Sequence, residues 1–304
     1  MLGEPGSAAV TPVPGERLPA PRMLGFTGDE VTGWFKDVGT VRLQFRLLDR
    51  IGELTVLEEL QVEVFGVTER DVIPASELVV VPETGGAVLA AYVEWPDRGA
   101  LAGAVFGWGG FGAGVPRIVS DFLAVRPHYR GLGIGVDLKR LQAVTAARRG
   151  FHEIVWTVDP LRVSNAKLNV TKLGATAHRY ERNRYGEGYG QGLYGGLPSD
   201  RLHMTWDLTT RRAHDRFLGR GVPPIDIESI PPYSPGLEAP LSTVAIPTDI
   251  DALLLSDAAS AFEWRLRIRS TLENAFAEGW EIREFVSSEG SADYVLVRPD
   301  LSIQ

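Results

Sequence analysis

Apolar and polar residues alternate from residue 41 to 46, the period-two mark of a strand with one buried face. The period then changes. Between 52 and 65, Leu54, Leu57, Leu60 and Val64 recur at steps of three, three and four, which puts them on one side of a helix. Pro74 suits the first turn of a second, short helix. Three strand-like runs follow at 87–95, 101–108 and 118–125, divided by turn residues as in an antiparallel meander. Helical spacing returns over 135–149: Leu138, Leu141, Val144 and Ala147 share a side, Arg148 and Arg149 fill the last turn, and Gly150 stops it. Residues 153–158 predict a strand closed by Pro160. Ser164 caps a further helix that Gly174 ends. Strands are expected near 176–182 and 202–208, on either side of a loop rich in Tyr and Gly.

The order is β-α-α-β-β-β-α-β-α-β-β, with a β-α-β unit in the middle and antiparallel strands around it. That is an α/β fold with a mixed, mostly antiparallel sheet, whose ligand site is expected at the carboxyl end of the central strands. Residues 1–22 hold five prolines and little to anchor a core, and read as a mobile leader before a domain spanning 23–212. Residues 213–240 are proline-rich and read as a linker. Residues 241–304 predict a β-α-β-β half-domain: a strand near 243–246, helix from 250 to 278, and a hairpin of 280–286 with 294–297. Leu255, Ala259, Phe262 and Leu266 are the expected buried face, docking this extension on the main domain or on a second subunit in a homodimer. Arg265, Arg267 and Arg269 read as a solvated face, with Glu263 four residues before Arg267 as a local partner.

Composition narrows the chemistry. Of 304 residues 44% are apolar, enough for a sizeable core, yet no apolar run approaches the roughly 20 residues of a membrane span. No secretory signal opens the chain, so a cytoplasmic address is expected. The absence of cysteine excludes disulfides, thiolate metal sites and a cysteine nucleophile. The net charge of −8 argues against a nucleic-acid partner, and the five histidines show no ligand spacing, so no metal is expected.

The most specific signal is V-R-P-H-Y-R-G-L-G-I-G at 125–135, between a strand and an amphipathic helix. Glycines at 131, 133 and 135 let backbone amides converge on an anion at the positive end of the helix dipole. The spacing fails the dinucleotide fingerprint, because Val136 or Leu138 stands where the last glycine belongs, and no G-K-[ST] follows for a Walker loop. What fits is R-x-x-G-x-G, on Arg130, Gly133 and Gly135. This resembles the acetyl-CoA motif of the GNAT acyltransferase superfamily. D-F-L-A-V-R-P (121–127) is similar to that family's fourth strand, and S-N-A-K-L-N-V-T-K-L-G-A (164–175) to its second CoA-side helix. Trp156–Leu161, S-N-A and G-L-P-S-D-R-L (196–202) resemble a branch of predicted acetyltransferases with a C-terminal extension, some of whose members use succinyl-CoA.

The resemblance implies an acyl-CoA-dependent N-acyltransferase that moves an acetyl or succinyl group to a small-molecule amine, with an amino acid as the expected acceptor. The alternative is a GNAT-fold protein that binds acyl-CoA without turnover. Acetyl-CoA or another acyl-CoA would be held by Arg130, Gly131, Leu132, Gly133, Ile134 and Gly135, and its pantetheine arm by the main chain of Leu123 and Val125. Asp121 takes the position where many members carry a glutamate, as base or as an orienting carboxylate. The family's tyrosine acid is missing, because Val170 stands there, which leaves Tyr180 or Tyr185 as substitutes. Asn165 lies nine rather than eleven residues before Gly174, and would bond a CoA amide. The loop at 185–196 reads either as a lid, with Tyr189 against the acceptor, or as low-complexity sequence. Arg182, Arg184 and Arg201 flank it, and Arg201 would hold an acceptor carboxylate.

Overall fold

The computed structural model describes residues 18–186, 195–221 and 225–298. Most of the expected leader lies outside these residues. Its described end is anchored rather than loose, with Pro19 and Pro21 buried at a short 3-10 turn, Pro21–Leu24.

The alternating sequence of the first half folds into consecutive antiparallel strands: β1 (Thr27–Asp29), β2 (Gly33–Val38), β3 (Val41–Leu47), β4 (Ala87–Trp95), β5 (Ala100–Gly112) and β6 (Val115–Val125). The first two were not expected, since β1 is three polar or glycyl residues and its exposed positions carry no hydrophobic period. Helices α1 (Ile51–Leu54), α2 (Val56–Phe65) and α3 (Ala75–Leu78) cover one face. They bury Leu54, Leu57, Leu60 and Leu78 against Val88, Ala104 and Phe106. Helix α4 (Ile134–Arg148) covers the other face, where Leu138 and Leu141 meet Ala91, Ala102 and Val105.

Beyond α4 come β7 (Glu153–Val158), α5 (Val163–Ala166) continued by a π turn (Lys167–Lys172), β8 (Thr176–Glu181) and β9 (Arg201–Asp207). Helix α6 (Arg211–Phe217) overlaps the stretch expected to be a linker. Thr210 caps it by accepting from the Ala213 amide, and it buries Ala213 and Phe217. The extension then supplies β10 (Leu241–Ala245), α7 (Ile250–Ser256), α8 (Ala258–Ala277), β11 (Glu281–Ser288) and β12 (Ser291–Val297). The twelve strands of the described residues join one sheet in the order β1-β2-β3-β4-β5-β6-β7-β9-β8-β11-β12-β10. The contact of β6 with β7 is its parallel strand pair among the described residues.

The extension packs in cis. Ala177 of β8 faces Ile282 of β11, and one apolar cluster holds Ala177 and Met204 together with Ile268, Leu272 and Trp280. The face expected to do this is wrong. Leu255, Phe262 and Leu266 are 91%, 44% and 42% exposed, and the buried side of α8 is Ala261, Arg265, Ile268, Leu272 and Ala275. Two causes are physical. Asp257, extended and capping α8, breaks the helix so that Leu255 belongs to a separate axis. An arginine also occupies the buried register, because a carboxylate of the main domain neutralises it there. No helix among the described residues is long and apolar enough to cross a membrane.

Candidate active site

Strands β6 and β7 are paired at only two positions, Ile118 with Ile154 and Val119 with Val155, and then part. On its other side β6 carries a bulge. Gly107 of β5 faces Ser120 and Phe106 faces Phe122, which leaves Asp121 as the extra residue. The bulge resets which face each side chain takes. Ser120 reaches α4, donating to Gln142 Oε1 at 3.0 Å. Phe122 turns to the opposite face, stacked on Phe106 at 4.7 Å and touching Phe65 of α2 at 5.4 Å. A cavity of about 260 Å³ occupies the gap between the strands. Residues 120–123 and 156–159 line it, with Asn165 and Asn169 after β7 and Gln61, Phe65 and Asp71 from α2 and the segment that follows it.

The glycine-rich loop leads into α4 beside β6. Gly131 and Gly133 have φ of +87° and +78°, in the left-handed region, with no heavy atom within 4 Å of where a Cβ would stand. Gly133 is the N-cap and offers no side chain to the helix. No amide from 131 to 136 donates to a backbone carbonyl of the described residues; the first such bond of the helix is from Asp137 to Gly133, at 3.1 Å. Six consecutive amides at the positive end of a helix dipole therefore have no backbone acceptor, which suits a pyrophosphate. Arg130 turns back along the loop and donates from Nε to the Val125 carbonyl at 3.2 Å.

The expected site residues separate into two groups. Asp121, Leu123, Asn165, Tyr185 and Arg201 all line the cavity. Asp121 keeps solvent access in the open cavity, yet the protein around it raises its carboxyl from the ordinary value by desolvation, and the Arg184 guanidinium opposes that shift. Tyr185 places its hydroxyl 3.4 Å from Thr157 Oγ1, and the Arg201 guanidinium lies over its ring at 4.9 Å. Arg201, only 3% exposed, also donates to the Asp200 carbonyl at 2.9 Å.

Tyr180 does not join them. Its hydroxyl donates to Asp200 Oδ2 at 2.7 Å, away from the cavity walls, and burial together with that carboxylate pushes its pKa well up. It is a poor proton donor where it stands. Arg182 is held by Glu273, in two bonds of 2.5 Å, and Arg184 by Glu181 at 2.6 Å. Tyr189 and most of the expected lid lie outside the described residues.

Several cavity residues were not anticipated. Lys139 of α4 is 2% exposed, donates to Ser120 Oγ at 2.9 Å and to Gln142 Oε1 at 3.2 Å, and sits 3.8 Å from the centre of the Trp156 ring. It thus touches β6 and β7 together, beneath the point where they part. Asp159, at the end of β7, binds Arg265 of the extension at 2.7 Å. Burial alone would raise its carboxyl, but the guanidinium holds it below the ordinary range. Spacing gave no signal for Lys139, which stands about 160° around the helix from Leu141, off the apolar stripe.

No family model and no curated protein matches the chain. Among solved structures it is similar to the yncA protein of Salmonella typhimurium with acetyl-CoA, at 18% identity and TM-score 0.44, over 55% of this chain and 94% of that one. It is similar to Arabidopsis thaliana Naa50 with the bisubstrate analogue CoA-Ac-MVNAL, at 18% identity and TM-score 0.42, over 54% and 97%. A GNAT-family protein of Desulfovibrio desulfuricans is 16% identical with TM-score 0.43, over 55% and 99%.

Proposed function

We propose that the protein is an acyl-CoA-dependent N-acyltransferase of the GNAT type. One observation carries this reading: two strands that part after two residue pairs, beside a helix start whose amides are free and whose glycines are left-handed. The first offers unpaired main-chain groups to an extended arm such as pantetheine, and the second a nest for its pyrophosphate. Leu123 and Val125 would serve the arm, Asn165 an amide along it, and residues 130–135 the phosphates. The thioester supplies an activated acyl group, acetyl or succinyl.

The protein's own part is to bind, orient and move protons. An amine entering from the side of Gln61, Phe65 and Asp71 meets Asp121, whose raised basicity suits it to take the amine's proton. Arg201 and Tyr185 provide a cationic and aromatic wall for the acceptor, which favours a small amine bearing a carboxylate, such as an amino acid. An acyl-CoA substrate accords with a cytoplasmic address.

Titration calorimetry with CoA and acetyl-CoA, followed by detection of CoA release with a panel of amino acids, tests the proposal. Absence of CoA binding would remove it. Binding without release for any amine and either acyl group would favour the non-catalytic alternative, which Val170 supports by filling the expected tyrosine position with a buried aliphatic side chain.

A further inference from the structure

The leaving thiolate needs a proton. Val170 has none to give, Tyr180 is tied to Asp200 outside the cavity, and Tyr185, though on the cavity wall, has its hydroxyl 3.4 Å from Thr157 Oγ1 on the β7 side, across from the bulge. The cavity holds a proton source that the reading above does not use. Lys139 pairs with no carboxylate among the described residues; its contacts are Ser120, Gln142 and the Trp156 ring. A buried cation without a counter-ion is costly, and a site retains one more readily where negative charge arrives during turnover.

We propose that Ser120 passes a proton to the leaving sulfur and that Lys139 replaces it. This rests on the acyltransferase reading. As the amine nitrogen bonds to the acyl carbon, the carbon–sulfur bond breaks and its electron pair stays on sulfur. The Ser120 hydroxyl proton, now given to Gln142, turns to the sulfur, and an Nζ proton of Lys139 passes to Ser120 Oγ, whose hydrogen bond to Nζ spans 2.9 Å. Asp121 accepts the proton lost by the amine. Lys139 ends neutral and Asp121 protonated, and exchange with water restores both.

Geometry and acidity agree. Ser120 and Asp121 are neighbours at the bulge and both line the cavity, so a donor to sulfur and an acceptor from nitrogen stand within reach of one bond. Burial alone pulls Lys139 down to about 7, close to where a donor to a thiolate works best. The other titratable or charged groups around the cavity are Asp71, Asp121, Asp159, Tyr185 and Arg201. On α4 itself Asp137 is bound to Lys36 and Arg140.

The test uses the full-length protein with CoA and reads the bound thiol directly, by thiolate ultraviolet absorbance against pH. Free CoA, titrated in the same buffers, gives the reference. In the wild-type complex the bound thiol is expected to titrate lower. Lys139→Met and Ser120→Ala should each return it toward the free value by about one unit. They should also lower kcat about 10²-fold or more with little change in acceptor KM, in the range of general acid catalysis. Binding of desulfo-CoA, which lacks the thiol, should be unchanged in both, reporting an intact fold and pocket. If wild type binds CoA and neither variant moves the titration, the proton relay is wrong while the acyltransferase reading stands. If wild type binds no CoA, both fall.

Discussion

Arg265 donates to Asp159 at 2.7 Å, with the two side chains 0% and 4% exposed, so an ion pair buried inside the protein joins the C-terminal helix to the end of a cavity-lining strand. Removing one partner strands the other charge away from water. Arg265→Ala should therefore destabilise the fold by about 3–5 kcal/mol. Urea denaturation would show this as a lower midpoint, and Asp159→Asn in the same chain should recover part of the loss.

Replacing Gly133 by valine forces a β-branched residue to φ of +78°, into the loop's free space. The backbone strain is about 1–2 kcal/mol. CoA affinity should drop by an order of magnitude or more, measured by calorimetry on protein shown to be folded by circular dichroism.

Asp121→Asn keeps the shape of the side chain and removes proton acceptance, so kcat should fall about 10²–10⁴-fold while CoA affinity holds. Arg184 lowers the Asp121 pKa against the effect of desolvation. Its removal in Arg184→Ala should let that pKa rise further. The acidic limb of the kcat/KM profile is then expected to move to higher pH, and steady-state kinetics across pH would measure the shift.

Lys139 has the opposite linkage from a partnered lysine. Its pKa is lowered from 10.5 to about 7, so between those values the unfolded chain holds a proton that the folded chain has lost. Stability should therefore rise with pH through that window, and the full cost should be felt below it. Lys139→Met removes the cost. The variant's Tm should exceed that of wild type at pH 7, with a flatter dependence above it, by thermal melts in matched buffers.

Truncation after Leu208 would take away the partners of Ala177, Met204 and Trp206 in the shared apolar cluster. Such a chain should aggregate or melt many degrees lower, as light scattering and calorimetry would report.

Elements with a clean period were legible in the sequence: α2 with its buried Leu57 and Leu60, α4, and the strands from β4 to β7. So was the glycine loop, because three glycines in five residues before a helix have a backbone meaning whatever surrounds them. The site's polar interior was harder to read. Lys139 and Arg265 belong by chemistry to a solvated face, and only a partner remote in sequence, Ser120 for one and Asp159 for the other, makes their burial tolerable. A periodicity argument sees one element at a time and assigns such residues outward. The helix Arg211–Phe217 was hidden for a related reason, since the prolines after it gave the whole stretch a linker's composition.

The glycine loop has a consequence for how this protein can change. On the acyltransferase reading proposed above, its anion nest is drawn in main-chain atoms, and what must be inherited is a curve of the chain at two positions without a Cβ. Neighbouring side chains are free to drift, taking the acceptor's wall through new shapes and charges, while the handle for the donor stays as it was. Selection for a new substrate can then act on residues such as Tyr185 and Arg201 alone. Laboratory libraries confined to the acceptor wall, with 130–135 left untouched, should retain CoA affinity across most of their members.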